Sequence, residues 1–349
     1  MNRRVAVLMG GESQEREVSR VTGLAVARAL ESRGHTVTLI DTAAGRVALP
    51  EPGAFRVGSA PPEPVHAVVS TGSRALTSLA GDLHDVDVVF IALHGGWGED
   101  GTVQALFEMT RVPYTGSGVL GSALAMDKDR AKRVVLSVGV ATPDWVVFDA
   151  ARDAMELDDI ARRLAPLGSD VVVKPNAEGS TVGLTVVHQG DEVGAAIRTA
   201  AAYDQRVLVE RFIPGRELTV GILGDEALPI VEIIPEGGIY TYEAKYTKGK
   251  SRYVVPAQLD AELSEEIRAA ALTAFHALGC EGFGRVDFRL PADGRFQFLE
   301  VNTIPGMTPL SLLPMAAGAA GISFEALVER IVDLAMARGE RRATTSERV

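Results

Sequence analysis

A single cysteine among 349 residues, Cys280, excludes an internal disulfide and any zinc site built from clustered thiolates, and it fits a reducing compartment. It lies in the apolar stretch Ala277-Leu278-Gly279-Cys280, which predicts a buried structural thiol. Basic residues are in deficit: 35 Lys and Arg against 46 Asp and Glu leave a net charge of −11, the wrong sign for neutralising nucleic-acid phosphates. Long apolar runs are missing too. Val5 to Met9, after Arg3 and Arg4, is too short for a signal-peptide core, and no uncharged apolar span reaches about 18 residues. These absences predict a cytoplasmic protein with neither a nucleic-acid nor a membrane partner. The remainder, 46% hydrophobic and 23% charged, is an ordinary globular composition. At roughly 150 residues per domain it is enough for two or three domains.

The chain begins as a βαβ unit, which points to an α/β class. Val5 to Met9 reads as a buried parallel strand, Gly10-Gly11-Glu12-Ser13 as a turn, and Val18, Val21, Ala25 and Ala29 as the inner face of a helix. Thr36 to Ile40 is the next strand, 45–83 reads as irregular surface, and Val86 to Leu93 is a buried strand entering a glycine-rich loop. A helix over Thr102 to Met109 follows, and a second runs from near Ser117 through Lys128 to Leu136. Strands are expected at 142–148, 170–175, 181–187 and 207–212, with a helix at 191–203. A further strand pair falls at 217–223 and 227–234, then a long polar loop at 235–252 and a helix over 261–278. The hairpin 284–290 with 296–301 and a helix over 323–338 complete the elements, and 339–349 reads as a frayed tail. The predicted units are 1–116, 117–214 and 215–338.

Five constellations carry chemistry. Gly10-Gly11-Glu12-Ser13-Gln14-Glu15 suits an anion or a substrate carboxylate at a helix N-terminus, or is simply a tight connection. His94 to Gly101 places four glycines in eight residues after a buried strand, where open α/β sheets bind ligands; a plain surface loop is the alternative. Lys174 ends the apolar run Val171-Val172-Val173, and Gly179-Ser180-Thr181 forms a flap able to wrap phosphate oxygens; no Walker sequence is present. Glu210 and Glu217 flank Phe212-Ile213-Pro214-Gly215, an apolar hinge suited to a nucleoside or an ordinary exposed strand end. Asp287 and, on the partner strand, Glu300 and Asn302 can form an all-oxygen cluster for Mg²⁺, or a solvated face paired by Arg285. Phe298, two residues from Glu300, is expected on the same face, which argues against simple solvation.

Together these blocks resemble the D-alanine–D-alanine ligase family of the ATP-grasp superfamily. The matching stretches, in order, are 10–19, 92–101, 113–118, Met126-Asp127-Lys128, 174–183, Tyr-Glu-Ala-Lys-Tyr at 242–246, 284–287 and 300–308. The resemblance implies a Rossmann-like first domain and two β-rich lobes that sandwich ATP. It also implies a role for each matching residue. Lys128, Lys174, Ser180 and Thr181 would hold phosphates, and Glu210, Arg211, Ile213 and Glu217 would frame adenine and ribose. Lys245 would contact both ATP and the second D-alanine, the latter with Ser311 and Leu312. Glu15 and His94 would seat the first D-alanine, and Arg285 with the Gly306 backbone would stabilise the tetrahedral intermediate. Glu15, Ser180 and Tyr246 would form a hydrogen-bonded triad, and Asp287, Glu300 and Asn302 would bind two Mg²⁺ or Mn²⁺ ions. A monovalent cation is a further candidate cofactor, and a homodimer is the implied assembly. Arg211, Ile304 and Pro309-Leu310 depart from the commonest family pattern. Ligases that make D-alanine–D-lactate or D-alanine–D-serine, other ATP-grasp ligases, and a non-catalytic nucleotide-binding regulator are the competing expectations.

Overall fold

The apolar run after Arg3 forms the centre of a parallel sheet. β1 (Arg4–Met9) pairs with β2 (Thr36–Asp41) on one side and β4 (Val88–Ile91) on the other, with short β3 (Gly45–Val47) antiparallel at the edge. A computed structural model describes residues 2–346 apart from 52, 59–78, 80, 82, 153–156, 189–192, 239, 241 and 248. β3 thus lies within the stretch expected to be irregular, most of whose remainder falls outside the described residues. Helix α1 (Arg16–Ser32) buries Val18, Leu24, Val26 and Leu30, and the two glycine-rich turns leave the same edge of the sheet, after β1 and β4.

After α2 (Thr102–Thr110), the sequence predicts one helix from near Ser117 to Leu136, but two form: α3 (Val119–Met126) and α4 (Lys128–Ser137). Asp127 is extended between them and caps α4, accepting from the Arg130 N–H at 3.1 Å while also accepting from Asn176 and Arg206. The second sheet is antiparallel in the order β5 (Trp145–Asp149), β8 (Arg206–Arg211), β6 (Val171–Pro175), β7 (Thr185–Val187). β7 starts later than expected, because Ser180 and Thr181 have left-handed backbones (φ 49° and 63°) that no strand accommodates. Helices α5 (Leu157–Leu164), not foreseen in the sequence, and α6 (Val193–Ala201) cover this sheet through Ile160, Leu164 and Ile197.

The third sheet runs β12 (Ser251–Val254), β11 (Val231–Pro235), β9 (Arg216–Leu223), β13 (Phe283–Leu290), β14 (Gln297–Asn302), with β10 (Glu226–Ala227) beside β9. The polar stretch 235–252 contains the short helix α7 (Tyr242–Tyr246). On one face of β13, Val286 and Phe288 pack against α8 (Ala261–Ala277), while Arg285, Asp287 and Arg289 point the other way. The β13–β14 register breaks between Asp287 and Phe288: Asp287 faces Glu300, Phe288 faces Phe298, and Leu299 is the extra residue of a bulge. Phe298 is therefore in the core with Val301, on the face opposite Glu300, so the expectation that Phe298 and Glu300 share a face is corrected.

Helix α9 (Leu312–Ala319), also unforeseen, and α10 (Phe324–Ser346) join the first and third sheets in one core containing Val7, Phe90, Val231, Leu313 and Ile331. α10 does not fray at Arg338. Arg338 is buried, donates to the Tyr114 carbonyl at 2.6 Å and to that of Gly116, and lies 4.2 Å from the Tyr114 ring centroid; Arg342, one turn on, pairs with Glu108 at 2.7 Å. Among the described residues, no single helix is long and apolar enough to cross a membrane. Cys280 is buried, and burial pushes its thiol up to about 12, as expected of a structural cysteine.

Candidate active site

Two adjoining cavities open between the sheets. The larger, about 530 Å³, is lined by Glu15, His94, Ser180, Asn302, Gly306, Ser311 and Leu312. The smaller, about 130 Å³, is lined by Lys174, Thr181, Glu210, Arg211, Ile213, Glu217 and Asp287, with Val172, Val186 and Leu299 supplying apolar surface. Lys128, Lys245, Arg285 and Glu300 line both and so mark the junction. Every candidate residue named from sequence is thus brought to one region except the Tyr246 side chain. Tyr246 ends α7, and its side chain lies outside the described residues.

At the junction four cations converge on one carboxylate. Burial pushes the Glu300 carboxyl up, but Lys128, Lys174, Lys245 and Arg285 outweigh it and hold the group down at about 2. Lys128 lies 3.4 Å from Glu300 and donates to the Glu178 carbonyl at 2.6 Å. Arg285 forks onto Asp287, Nε to Oδ1 at 2.9 Å and Nη2 to Oδ2 at 2.8 Å, while Thr219 donates to Asp287 Oδ1 at 2.6 Å. Lys245 is lowered by burial, with Glu300 opposing, and sits 5.2 Å from the Tyr240 ring centroid.

The flap is fastened on three sides. Ser180 donates to Glu15, Thr181 donates to the Tyr240 carbonyl at 3.0 Å, and the Glu178 carbonyl takes Lys128. Glycine at 179 leaves room for this closeness, since a Cβ there would come 3.0 Å from Glu15 Oε2 and crowd that carboxylate. His94 is buried, with Nε2 2.9 Å from Thr22 Oγ1, and burial lowers its pKa, leaving a neutral imidazole near pH 7. The Gly10-Gly11 turn meets Asp41 rather than open space: a Cβ on Gly10 would lie 2.5 Å from that carboxylate, which Arg20 engages at 2.9 Å. In a dinucleotide-binding sheet an acid at this point would take a ribose. Here it is occupied, which counts against a nucleotide regulator built on the first sheet.

Several residues of the site were not singled out in the sequence. Glu99 accepts from the Gly95 N–H at 2.8 Å and is pushed well up by burial and by Glu15. Arg289 donates to the Ile213 carbonyl at 3.1 Å and to Glu217 at 3.2 Å, fixing the hinge; burial nevertheless raises Glu217. Lys132 donates to Glu210 at 2.8 Å from behind the cavity. Its only signal in the sequence is its place four residues after Lys128.

Glu178 gives a pH test. Burial and Glu15 raise its carboxyl from 4.5 to about 7. The folded chain then binds more protons than the unfolded one, so this group costs stability as pH rises from 4.5 through about 7. Glu178→Gln is expected to raise the Tm by roughly 2–4 °C at pH 8 and to leave it unchanged near pH 4.5, read by thermal denaturation. An equal gain at both pH values would remove the titration of Glu178 as the cause.

The family model for the D-ala D-ala ligase N-terminus matches residues 4–117, and the model for the D-ala D-ala ligase C-terminus matches 134–333. Among curated relatives, the D-alanine–D-alanine ligase of Syntrophotalea carbinolica is 45% identical over 95% of each chain. That of Nitrosospira multiformis is 46% identical over 95% of this chain and 96% of its own. Among solved structures, the Bacillus anthracis D-alanine–D-alanine ligase complexed with ATP superposes with a TM-score of 0.78 at 31% identity, covering 97% of this chain and 99% of that one. The VanG D-Ala:D-Ser ligase of Enterococcus faecalis gives 0.75 at 31% identity, covering 96% of this chain and 100% of that one. With family models spanning most of its length and relatives above 40% identity, the chain belongs to the D-alanine–D-alanine ligase family of ATP-grasp enzymes.

Proposed function

We propose that the two cavities act as one site, in which ATP activates one D-alanine as an acyl phosphate and a second D-alanine displaces the phosphate to give D-alanyl-D-alanine. The observation that carries this reading is the junction itself, where Lys128, Lys245, Arg285 and Glu300 border both cavities. The nucleotide lies in the smaller cavity, its base and ribose by Glu210, Ile213 and Glu217 and its phosphates by Lys128, Lys174 and the flap. The larger cavity seats the first D-alanine between Glu15 and His94 and the second near Lys245, Ser311 and Leu312.

A carboxylate is a poor electrophile, so its oxygen first takes the γ-phosphoryl group, and the lysines offset charge spreading over the transferring oxygens. The neutral amine of the second D-alanine then attacks the carbonyl, Arg285 and the Gly306 backbone hold the tetrahedral oxyanion, and phosphate leaves. Water would intercept the acyl phosphate, so closure of the flap over Glu15 and of α7 over the junction keeps it dry.

Asp287 and Glu300 face each other across β13 and β14, and Asn302 pairs with Arg285 two positions on. Two carboxylates and an amide oxygen suit a hard cation whose remaining positions are filled by phosphate and water. These three would hold two Mg²⁺ or Mn²⁺ ions, which when bound supply charge neutralisation along the phosphates. The reading places the enzyme in the cytoplasm as a homodimer that supplies peptidoglycan precursors.

ADP release is expected to require D-alanine and Mg²⁺, and L-alanine should give no more than about a hundredth of the rate, because Glu15 and His94 fix the ammonium and carboxylate and so the side-chain direction. Chiral product analysis with D-serine and D-lactate as rival nucleophiles should return the dipeptide D-alanyl-D-alanine as the main product. Equal turnover with L-alanine, or a predominant depsipeptide, would overturn this assignment.

A further inference from the structure

Lys132 has no solvent exposure and borders neither cavity, yet its Nζ donates to Glu210 Oε2 at 2.8 Å and lies 5.1 Å from the Trp145 ring centroid. The other oxygen of the same carboxylate, Oε1, accepts from Lys174 at 2.5 Å, and Lys174 does border the nucleotide cavity. One buried carboxylate therefore stands between a cavity-side ammonium and a second ammonium behind it. Removing a lysine from water is costly. An apolar side chain of similar length would fill the space between α4 and β8 without that cost, so packing alone does not account for an ammonium here.

We propose that Lys132 is a specificity-determining positioning residue: it anchors Glu210 so that the nucleotide cavity accepts a purine bearing a 6-amino group and rejects a 6-oxo purine. The inference rests on the reading of the smaller cavity as the ATP site. An ionised carboxylate is an acceptor only. The 6-amino group of adenine donates to it, whereas the 6-oxo group of hypoxanthine sets one acceptor against another and leaves both unpaired in a buried place. Lys174 serves the phosphates and Glu210 alike, so it is drawn towards a bound polyphosphate. The ion pair that persists with nucleotide in place is then the one from Lys132. Lys128 and Lys132 are four residues apart on α4, one turn and about 6 Å along the axis. The same helix face thus addresses the phosphoryl junction through Lys128 and, through Glu210, the base.

The test is kcat/KM for ATP and for ITP at saturating D-alanine and Mg²⁺, in the wild type and in Lys132→Met, Lys132→Arg and Glu210→Gln. Lys132→Met is expected to reduce the ATP-over-ITP preference by about tenfold or more, through KM for the nucleotide, with KM for D-alanine unchanged. Lys132→Arg, which keeps a cationic donor, should retain the preference. A Lys132→Met enzyme with the wild-type ratio would overturn the proposal. Glu210→Gln separates the two levels, since its amide can turn a donor towards a 6-oxo group. If Glu210→Gln leaves the ratio unchanged, the assignment of base recognition to this cavity wall fails. If it shifts the ratio while Lys132→Met does not, only the role of Lys132 fails. Should Lys132→Met not fold, the double variant Lys132→Met/Glu210→Gln removes both buried partners and becomes the test. A ratio equal to that of Glu210→Gln alone supports the proposal, and a further multiplied change contradicts it.

Discussion

Glu300→Gln is expected to lower D-alanine-dependent ADP release by about 100-fold or more, with KM for D-alanine changed by less than about threefold. The glutamine keeps the size and one oxygen but removes the negative charge on which Lys128, Lys174, Lys245 and Arg285 converge. On the proposed reading a divalent ion would lose one of its anionic ligands, and four cations lose their shared counter-charge. ATP brings its own negative charge to the same place, so the variant should still bind nucleotide and should gain thermal stability from ATP. Steady-state kinetics beside a thermal shift with ATP would check both halves. A rate near that of the wild type would take Glu300 out of the phosphoryl-transfer site.

The second large effect is expected at Arg285. Its guanidinium forks onto Asp287 through two bonds of 2.9 and 2.8 Å while the residue also borders both cavities. Burial opposes its charge, but Asp287 outweighs burial and raises its pKa, so the cation is fixed at every working pH. Lysine keeps the charge but is a point donor on a flexible stem and cannot grip two carboxylate oxygens while also serving the oxyanion role proposed for Arg285. Arg285→Lys should therefore cut kcat by about 10²–10³, the usual loss on removing one donor to a developing oxyanion, with KM for ATP little changed. A kcat within tenfold of the wild type would leave Arg285 as a structural partner of Asp287 only.

Much of this site was legible in the sequence because its residues end apolar strands or follow glycine-rich turns. Lys174 closes Val171-Val172-Val173, His94 follows β4, and Asp287, Glu300 and Asn302 fall on a hairpin whose pairing can be read by alternation. What was not legible depends on partners distant in the chain. The bulge at Leu299, which turns Phe298 away from Glu300, is set by where β13 and β14 find their register, not by local composition. The break at Asp127 is stabilised by Asn176 and Arg206, about 50 and 80 residues on, so an uninterrupted helix was the natural local reading. Lys132 sits in a charged helical segment and reads as solvated until Glu210 is placed beside it. The extension of α10 past Arg338 depends on the backbone of Tyr114 and Gly116, more than 200 residues earlier.

The acyl phosphate proposed to form at the shared junction leaves a label. With D-alanine carrying ¹⁸O in both carboxylate oxygens, one of those oxygens becomes the bridge to the transferred phosphoryl group and departs with it. Mass analysis of the released phosphate after complete turnover is expected to find one ¹⁸O in the phosphate for each dipeptide formed. Phosphate free of ¹⁸O, alongside normal dipeptide synthesis, would contradict it.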